Sequence, residues 1–160
     1  MLRVSELRVD ERLLVTVLGC AGRGFRLGRR RSLRSTAMAY EVIGLHHIQI
    51  AMPPGEESAG RAFYGDLLGL PEVPKPSELA PRGGLWFRNG SLELHLGVER
   101  EGFTPARRAH PAFIVNGLDE LREKLDAAGY RIDEDVQLEG YRRFHVRDPF
   151  GNRLELVEPA

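Results

Sequence analysis

Two histidine–glutamate pairs recur at nearly the same spacing along the chain. His47 precedes Glu93 by 46 residues, and His110 precedes Glu155 by 45. Each histidine lies in a stretch with the alternation of a β-strand, and each glutamate lies in a later strand just after a glycine turn. Imidazole and carboxylate groups are suitable ligands for Zn, Ni, Fe, Co or Mn. The recurrence therefore indicates a duplicated unit that carries a candidate divalent-metal site.

Three further side chains are candidates for substrate contacts. His95 lies two residues after Glu93 and could replace it as a ligand or act as an acid or base beside it. Arg143 could bind a substrate carboxylate or phosphate through its fork of donors, or be a solvated strand charge. Trp86 is interpreted as part of a cavity wall.

The first half of the patterned sequence predicts a strand, a helix and a hairpin. Residues 45–51 alternate as a strand, and residues 56–68 carry apolar side chains at helical steps of three and four. Two further strands meet at Asn89-Gly90, a strong signal for a tight turn. A weak extra strand is predicted near Glu72.

The second half repeats this order of elements. Residues 109–115 predict a strand, and Leu118, Leu121 and Leu125 give the apolar stripe of a helix. A hairpin follows, with its turn at 148–152 and a weak strand before it near Ile132. The two halves are therefore expected to share one topology.

Strand alternation places the candidate ligands opposite apolar faces. Leu154 and Leu156 oppose Glu155, and leucines likewise flank Glu93. If the sheet curls, the two histidines and two glutamates line its concave side. A lone histidine on a strand is more often structural than functional, and His46 and His145 are interpreted in that way.

The composition limits the classes of function. The 160 residues are 42% hydrophobic and 29% charged, typical of a soluble globular domain. The 23 basic and 23 acidic residues give no net charge, which argues against nucleic-acid binding. A single cysteine, Cys20, excludes a disulfide framework. No apolar run is long enough for a membrane span, and a cytoplasmic location is expected.

The N-terminal residues differ from the rest. Residues 1–38 contain nine arginines and three acids, and glycines interrupt any helical pattern. We expect a basic extension that is disordered or not translated, with Met38 as an alternative start. A lipoprotein signal or an organelle transit peptide is a weaker alternative. Residues 39–160 are expected to form one domain, with modules at 43–98 and 108–158.

Several motifs in order resemble the vicinal-oxygen-chelate superfamily. This superfamily includes glyoxalase I, bleomycin resistance proteins, fosfomycin resistance enzymes and extradiol dioxygenases. The resemblance implies an α+β fold in which two tandem βαβββ modules form a cup-shaped, mostly antiparallel eight-stranded sheet. The motifs are Leu45-His46-His47-Ile48-Gln49-Ile50, the run 62–70, Leu92-Glu93-Leu94, His110 and the run 148–156.

The resemblance also implies a ligand set and partners. His47, Glu93, His110 and Glu155 match the glyoxalase-type metal ligands, and extradiol dioxygenases use only the equivalents of His47, His110 and Glu155. One divalent ion (Ni, Zn, Co, Fe or Mn) is implied, a thiol cosubstrate is possible, and a homodimer is expected because the family often completes its cups across a dimer. No nucleic acid or membrane partner is expected.

The expected function is that of a metal-dependent enzyme acting on a small oxygenated metabolite. Glu155 is the leading candidate base and Glu93 the alternative. Proton transfer of the isomerase or lyase type is favoured over extradiol oxygen insertion or thiol transfer. The alternative is a non-catalytic protein of the same fold that binds a small molecule or antibiotic.

Overall fold

A computed structural model of the protein describes residues 40–160. The predictions for residues 1–38, a basic extension that is disordered or untranslated, lie outside the described residues. No helix within residues 40–160 has the length and apolar character needed to cross a membrane.

The first module follows the predicted order of elements, with strands close to their expected positions. Its helix begins as an α-helix and continues as a π-helix, in which the Leu68 amide donates to the Phe63 carbonyl at 2.9 Å. The elements are β1 (Ile48–Met52), α1 (Glu57–Gly60) with the π-helix Arg61–Leu67, β2 (Glu72–Val73), a 3-10 turn (Ala80–Arg82), β3 (Leu85–Asn89) and β4 (Leu92–Val98).

The second module repeats this order. The apolar stripe predicted its helix, which begins at Leu118, and Gly129 follows the helix with a positive φ of 81°. Both weak strands of the sequence prediction are present, one in each module. The elements are β5 (Ala112–Ile114), α2 (Leu118–Ala127), β6 (Ile132–Asp133), β7 (Tyr141–Arg147) and β8 (Arg153–Pro159).

Each module forms one four-stranded sheet. The strand orders are β1-β4-β3-β2 and β5-β8-β7-β6. In each sheet the first strand is parallel to the last strand of its module, and the other pairs are antiparallel. The α+β fold of two βαβββ modules is confirmed. The eight strands are divided between two mixed sheets rather than joined in one, so β1 and β5 are both edge strands.

The sheets bury the faces that the alternation predicts. Leu94, Leu96, Leu154 and Leu156 are at most 1% exposed. They belong to a hydrophobic cluster that includes residues of both modules and of both helices. The opposite faces of β4 and β8 carry Glu93, His95 and Glu155, so burial of the leucines holds these polar groups in fixed positions.

A buried polar contact links the two modules. The Tyr64 hydroxyl donates to Oδ2 of Asp148 at 2.7 Å, and Nδ2 of Asn152 donates to the Ala51 carbonyl at 2.9 Å. Asp148 also accepts hydrogen bonds from the backbone amides of Phe150 and Asn152. Burial raises the pKa of Asp148 despite these donors. The turn before β8 is therefore fixed against helix and strand of module one.

Candidate metal centre

The strand register of module two brings three metal-type side chains together. Glu155 lies in β8, the strand between β5 and β7. It pairs with His145 of β7 on one side and with Ala112 of β5 on the other. His110 lies two residues before Ala112, and therefore approaches Glu155 from the start of β5.

The three side chains form the group we call the module-two cluster: His110, His145 and Glu155. Nε2 of His110 is 3.1 Å from Oε2 of Glu155, and Nε2 of His145 is 3.8 Å from the same oxygen. One ligand atom from each residue lies within 4.8 Å of the others, and within residues 40–160 no other group of three or more His, Cys, Asp or Glu does so. Two imidazoles and a carboxylate suit a first-row divalent metal. The His145 ring nitrogens are buried and make no hydrogen bond to any residue that the structure describes.

Arg143 is held against this cluster. Its Nη1 donates to Oε1 of Glu155 at 2.7 Å, and its Nε and Nη2 donate to the Val136 carbonyl at 2.9 and 2.5 Å. The ion pair is well shielded, with side-chain exposures of 13% for Arg143 and 9% for Glu155. In this structure Arg143 orients Glu155, and its predicted contact with a substrate anion stays a prediction.

The environment of Glu155 favours its ionised form. Burial by itself would raise the pKa of this carboxyl group, but hydrogen bonds from Arg143 and His110 outweigh burial and hold the pKa below its usual value. Glu155 is therefore a carboxylate at neutral pH, the form that binds a metal or accepts a proton.

Module one arranges its histidines differently. The His47 ring stacks on His95 with centroids 4.4 Å apart, and His95 stacks on Trp86 at 4.0 Å. Nδ1 of His47 also lies 3.0 Å from Nδ1 of the adjacent His46. The predicted wall residue Trp86 thus fixes the His95 ring, and His95 in turn contacts the candidate ligand His47.

Glu93 forms an ion pair with Arg88 rather than a contact with His47, the histidine that recurs with it in the sequence. Oε1 of Glu93 is 2.9 Å from Nη2 of Arg88, its partner across the β3–β4 pair, and Oε2 is 3.9 Å from Nε2 of His95. Within residues 40–160 no hydrogen bond or ion pair joins Glu93 to His47. The module-one pair is therefore not assembled as the module-two pair is.

The two modules keep their clusters apart within one chain. Burial lowers the pKa of His95, and the largest charge effects on it come from His47 and Glu93 of the same module. Burial also lowers the pKa of His145, where the largest charge effects come from Arg153 and Glu155. Within residues 40–160, His110 and Glu155 belong to a group of three ligand-type side chains, and neither His47 nor Glu93 belongs to such a group. Binding of one ion by His47, Glu93, His110 and Glu155 stays a prediction.

A small cavity lies on the candidate-site face of module one. It measures about 240 Å³, and its lining includes Gln49, Lys75, Arg82 and Trp86. Gln49 lies over Gly97, where a Cβ would be 2.7 Å from the Gln49 Nε2, so a larger residue would require the Gln49 side chain to move. A larger cavity of about 470 Å³ lies elsewhere, between the modules, and is mostly lined by leucines and β5 residues without a histidine. The smaller cavity therefore lies beside Trp86, and the substrate contact predicted for Trp86 stays a prediction.

Sequence reasoning missed His145 as a member of the site. It shares the β7 face with Arg143, and this alternation was the available signal. What the sequence does not contain is the register that sets His145 opposite Glu155. The same register brings Asp135 near the cluster, with Oδ2 3.7 Å from Nδ1 of His145.

Comparison with known proteins agrees with this fold. The sequence model of the Glyoxalase/Bleomycin resistance protein/Dioxygenase superfamily matches residues 38–156, and the chain belongs to this superfamily. A search among curated proteins finds no match.

Solved structures include a glyoxalase family protein from Bacillus anthracis. It is 46% identical, with a TM-score of 0.72, and the match covers 77% of this chain and 100% of that one. A lactoylglutathione lyase from Agrobacterium tumefaciens is 24% identical, with a TM-score of 0.53 and coverage of 69% and 91%. A fosfomycin resistance protein from Listeria monocytogenes is 18% identical, with a TM-score of 0.59 and coverage of 75% and 96%. The last two show a shared fold.

Proposed function

We propose that the protein is a metal-dependent enzyme that acts on a small oxygenated metabolite, by proton transfer of the isomerase or lyase type. The observation that carries the proposal is the convergence of His110, His145 and Glu155, whose ligand atoms lie within 4.8 Å of one another. Superfamily membership supports it, because lactoylglutathione lyase shares the fold.

The residues of this site have separable tasks. His110 and Glu155 would hold a divalent ion of the Ni, Zn, Co, Fe or Mn type, and the bound ion supplies Lewis acidity toward neighbouring oxygens of the substrate. Arg143 fixes the Glu155 carboxylate by donating to Oε1. Glu155 is the preferred base for a proton on the carbon next to a substrate carbonyl, and Glu93 is the alternative.

A second copy of the chain is part of the proposal. Strands β1 and β5 are edges of separate sheets, and their unpaired backbone groups can extend onto another chain. Apolar side chains near these edges are exposed, with Leu45 at 78% and Ile114 at 77%. Pairing β1 of one copy with β5 of another would bring His47 and Glu93 close to the module-two cluster and form one continuous eight-stranded sheet.

The test combines metal content with a substrate panel. The full chain is assayed with 2-oxoaldehyde–thiol adducts, a catechol with oxygen, and an epoxide with a thiol, each with added Ni, Zn, Co, Fe or Mn. We expect turnover of the first class, and a loss of about 100-fold or more in kcat for Glu155→Gln. Glu93→Gln is the matched control for a strand carboxylate and should lose less.

Two results would reject this proposal. The first is turnover that does not depend on metal. The second is full activity of Glu155→Gln with an identified substrate. Turnover of the catechol or epoxide alone would retain the metal enzyme and replace proton transfer by oxygen insertion or thiol transfer.

A non-catalytic binding protein is the second candidate. The observation that favours it is that both oxygens of Glu155 already have protein partners, Arg143 and His110. In that function the cluster would be structural, and a ligand would bind without metal. Isothermal titration with and without a chelator separates the candidates, because only the enzyme's substrate should require the ion. The cytoplasmic location expected from the sequence stays a prediction.

A further inference from the structure

The smaller cavity of module one is lined by two cationic residues, Lys75 and Arg82. None of the lining residues, all of which belong to the described part of the chain, is acidic. Residues 40–160 contain 14 basic and 20 acidic residues, so the positive lining differs from the overall charge of the domain. An anion is therefore the class of ligand that the charge of this cavity favours.

The segment between β2 and β3 carries both cations and is fixed at its end. The Gly84 amide donates to Oε1 of Glu57 at 2.9 Å. Gly84 has a positive φ of 78°, and a Cβ there would lie 2.1 Å from the Leu96 carbonyl oxygen of β4. The segment therefore lies directly against the sheet, and its cations are positioned before a ligand binds.

Both cations have donors left for a ligand. Within residues 40–160 neither Lys75 nor Arg82 forms an ion pair with a carboxylate, and the Lys75 ammonium donates only to the Gly83 carbonyl. That bond uses one of the three hydrogens of the ammonium group. Arg82 is exposed, so its guanidinium is accessible from solvent. The cavity can therefore supply several charge-assisted hydrogen bonds to one anion.

The sheet side of the cavity adds an amide and an aromatic ring. Gln49 of β1 and Trp86 of β3 both pair with His95, from opposite sides of β4. Gly97 has no side chain, and Nε2 of Gln49 lies 2.7 Å from the position that a Cβ would take there. A lining that combines cations with an indole suits an organic acid better than an inorganic ion, because the ring can pack against carbon.

The cavity accommodates only part of a substrate. Sites that enclose drug-sized ligands measure about 300 to 1,000 Å³, and this cavity measures about 240 Å³. Trp86 lines it and also stacks on His95 with centroids 4.0 Å apart, and His95 stacks on His47. A molecule with one end in the cavity would therefore extend past Trp86 along the face that carries these histidines.

We propose that this cavity binds a carboxylate group of the substrate, with Lys75 and Arg82 as the residues that select it. The guanidinium fork of Arg82 matches the two carboxylate oxygens, Lys75 adds a point charge, and Trp86 packs against the adjoining carbons. The inference rests on the proposed function and narrows its substrate class to oxygenated metabolites that carry a carboxylate away from the reacting carbon. Lys75 and Arg82 take no part in the proton transfer itself.

The first test uses the fluorescence of the unaltered full chain. Trp86 is the single tryptophan of the sequence, so its emission reports on this cavity. The protein is titrated with butanoate and with butanamide, its neutral isostere, at fixed pH and ionic strength. We expect a saturable change with butanoate and at least about tenfold weaker binding of butanamide. Equal binding of the two compounds would overturn the inference, as would inorganic phosphate that binds while butanoate does not.

The second test repeats the butanoate titration with variants of the two lysines in the chain. We expect Lys75→Gln to weaken binding by about tenfold, and Arg82→Gln to do the same. Lys124→Gln is the matched control, because Lys124 lines the larger cavity, and it should bind as the wild type. Equal losses in Lys75→Gln and Lys124→Gln would overturn the inference. If a variant fails to fold, the titration of the wild type decides.

Turnover separates this inference from the proposed function. Lys75→Gln should raise KM for a carboxylate-bearing substrate by about tenfold and leave kcat within about twofold, whereas Glu155→Gln should lower kcat. An active enzyme with equal kcat/KM for an acid and its amide would overturn the inference and leave the proposed function intact. Selective binding of butanoate by a chain that turns over no substrate would reject the proposed function and retain the carboxylate site.

Discussion

The two modules have the same topology, but the residue opposite the glutamate on the neighbouring strand differs between them. In module one Glu93 faces Arg88 across the β3–β4 pair, and its side chain is 20% exposed. In module two Glu155 faces His145 at the corresponding pair of strands, and its side chain is 9% exposed. Arg88 opposite Glu93 forms an ion pair with it, whereas Glu155 has an imidazole opposite and forms its ion pair with Arg143 of the same neighbouring strand.

The histidines of the two modules differ in the same sense. His47 stacks on His95, which stacks on Trp86. His110 instead contacts Glu155 directly. The repeated fold places a ligand-type residue at the corresponding position of each module, and the neighbouring side chains determine which contacts that residue makes.

The largest expected effect is a loss of stability when side chains are removed from the hydrophobic core that the two modules share. Phe87 of β3 and Phe144 of β7 are 1% and 0% exposed, and both belong to the cluster that includes residues of both modules. Phe87→Ala and Phe144→Ala should each cost about 3 to 5 kcal/mol in free energy of unfolding. Urea denaturation should retain one transition in both variants. Two separate transitions would show that the modules do not share a core.

The contact between modules should depend on pH. Burial raises the pKa of Asp148, so the native state holds this proton more tightly than the unfolded chain, where the usual value is 3.8. The stabilisation from the proton is complete below that value and is lost as pH rises through the native pKa.

Asp148→Asn keeps this position neutral at every pH. At neutral pH we expect it to change stability by about 1 to 3 kcal/mol, because the acceptors for Tyr64 and Asn152 are altered. The stability of the wild type relative to the variant should fall as pH rises from about 3 to 7. Urea denaturation of both proteins at a series of pH values measures their free energies of unfolding. A wild-type stability that rises with pH relative to that of Asp148→Asn would contradict this account.

The Arg143→Gln variant tests how Arg143 affects the pKa of the Glu155 carboxyl group. Arg143 donates to Glu155 and lowers the pKa of that carboxyl group, so its removal should raise the Glu155 pKa and cost about 1 to 2 kcal/mol. The native pKa is below the unfolded value, so the stabilisation by Glu155 is present above about pH 4.5 and lost as pH falls. Carbon-13 NMR titration of the glutamate carboxyls measures the change. An unchanged Glu155 pKa would contradict the role given to Arg143.

The smallest effect is expected at the equivalent arginine of module one. The Arg88 side chain is 52% exposed, so its ion pair with Glu93 is screened by water. Arg88→Gln should change the free energy of unfolding by less than about 1 kcal/mol and leave metal binding unaltered. Thermal denaturation and metal titration of this variant serve as the control for Arg143→Gln. A loss of metal binding in Arg88→Gln would place the metal centre on module one.

Much of the fold could be predicted because hydrophobic alternation is local information. Leu154 and Leu156 predicted the buried face of β8, and Asn89-Gly90 predicted the turn between β3 and β4. The apolar stripe that begins with Leu118 predicted the helix α2. The division into two sheets could not be predicted, because edge pairing depends on how whole modules pack.

The candidate site was predicted only in part because pairing across strands is not local. The near-equal spacings of 46 and 45 conceal different registers, since Ile48 pairs with Leu94 at an offset of 46 and Ala112 with Glu155 at an offset of 43. From the sequence alone, His145 is interpreted as an ordinary structural histidine of a strand. Its position opposite Glu155 follows from the β7–β8 register alone.

The measurement that tests the central claim most directly is metal content by elemental mass spectrometry. The wild type is compared with two matched double variants, His110→Ala/Glu155→Ala and His47→Ala/Glu93→Ala. If the metal centre is built on module two, the wild type holds near one ion per chain, the first variant holds none, and the second retains most of it. Metal retained by the first variant and lost from the second would contradict the account, as would a wild type that takes up no metal.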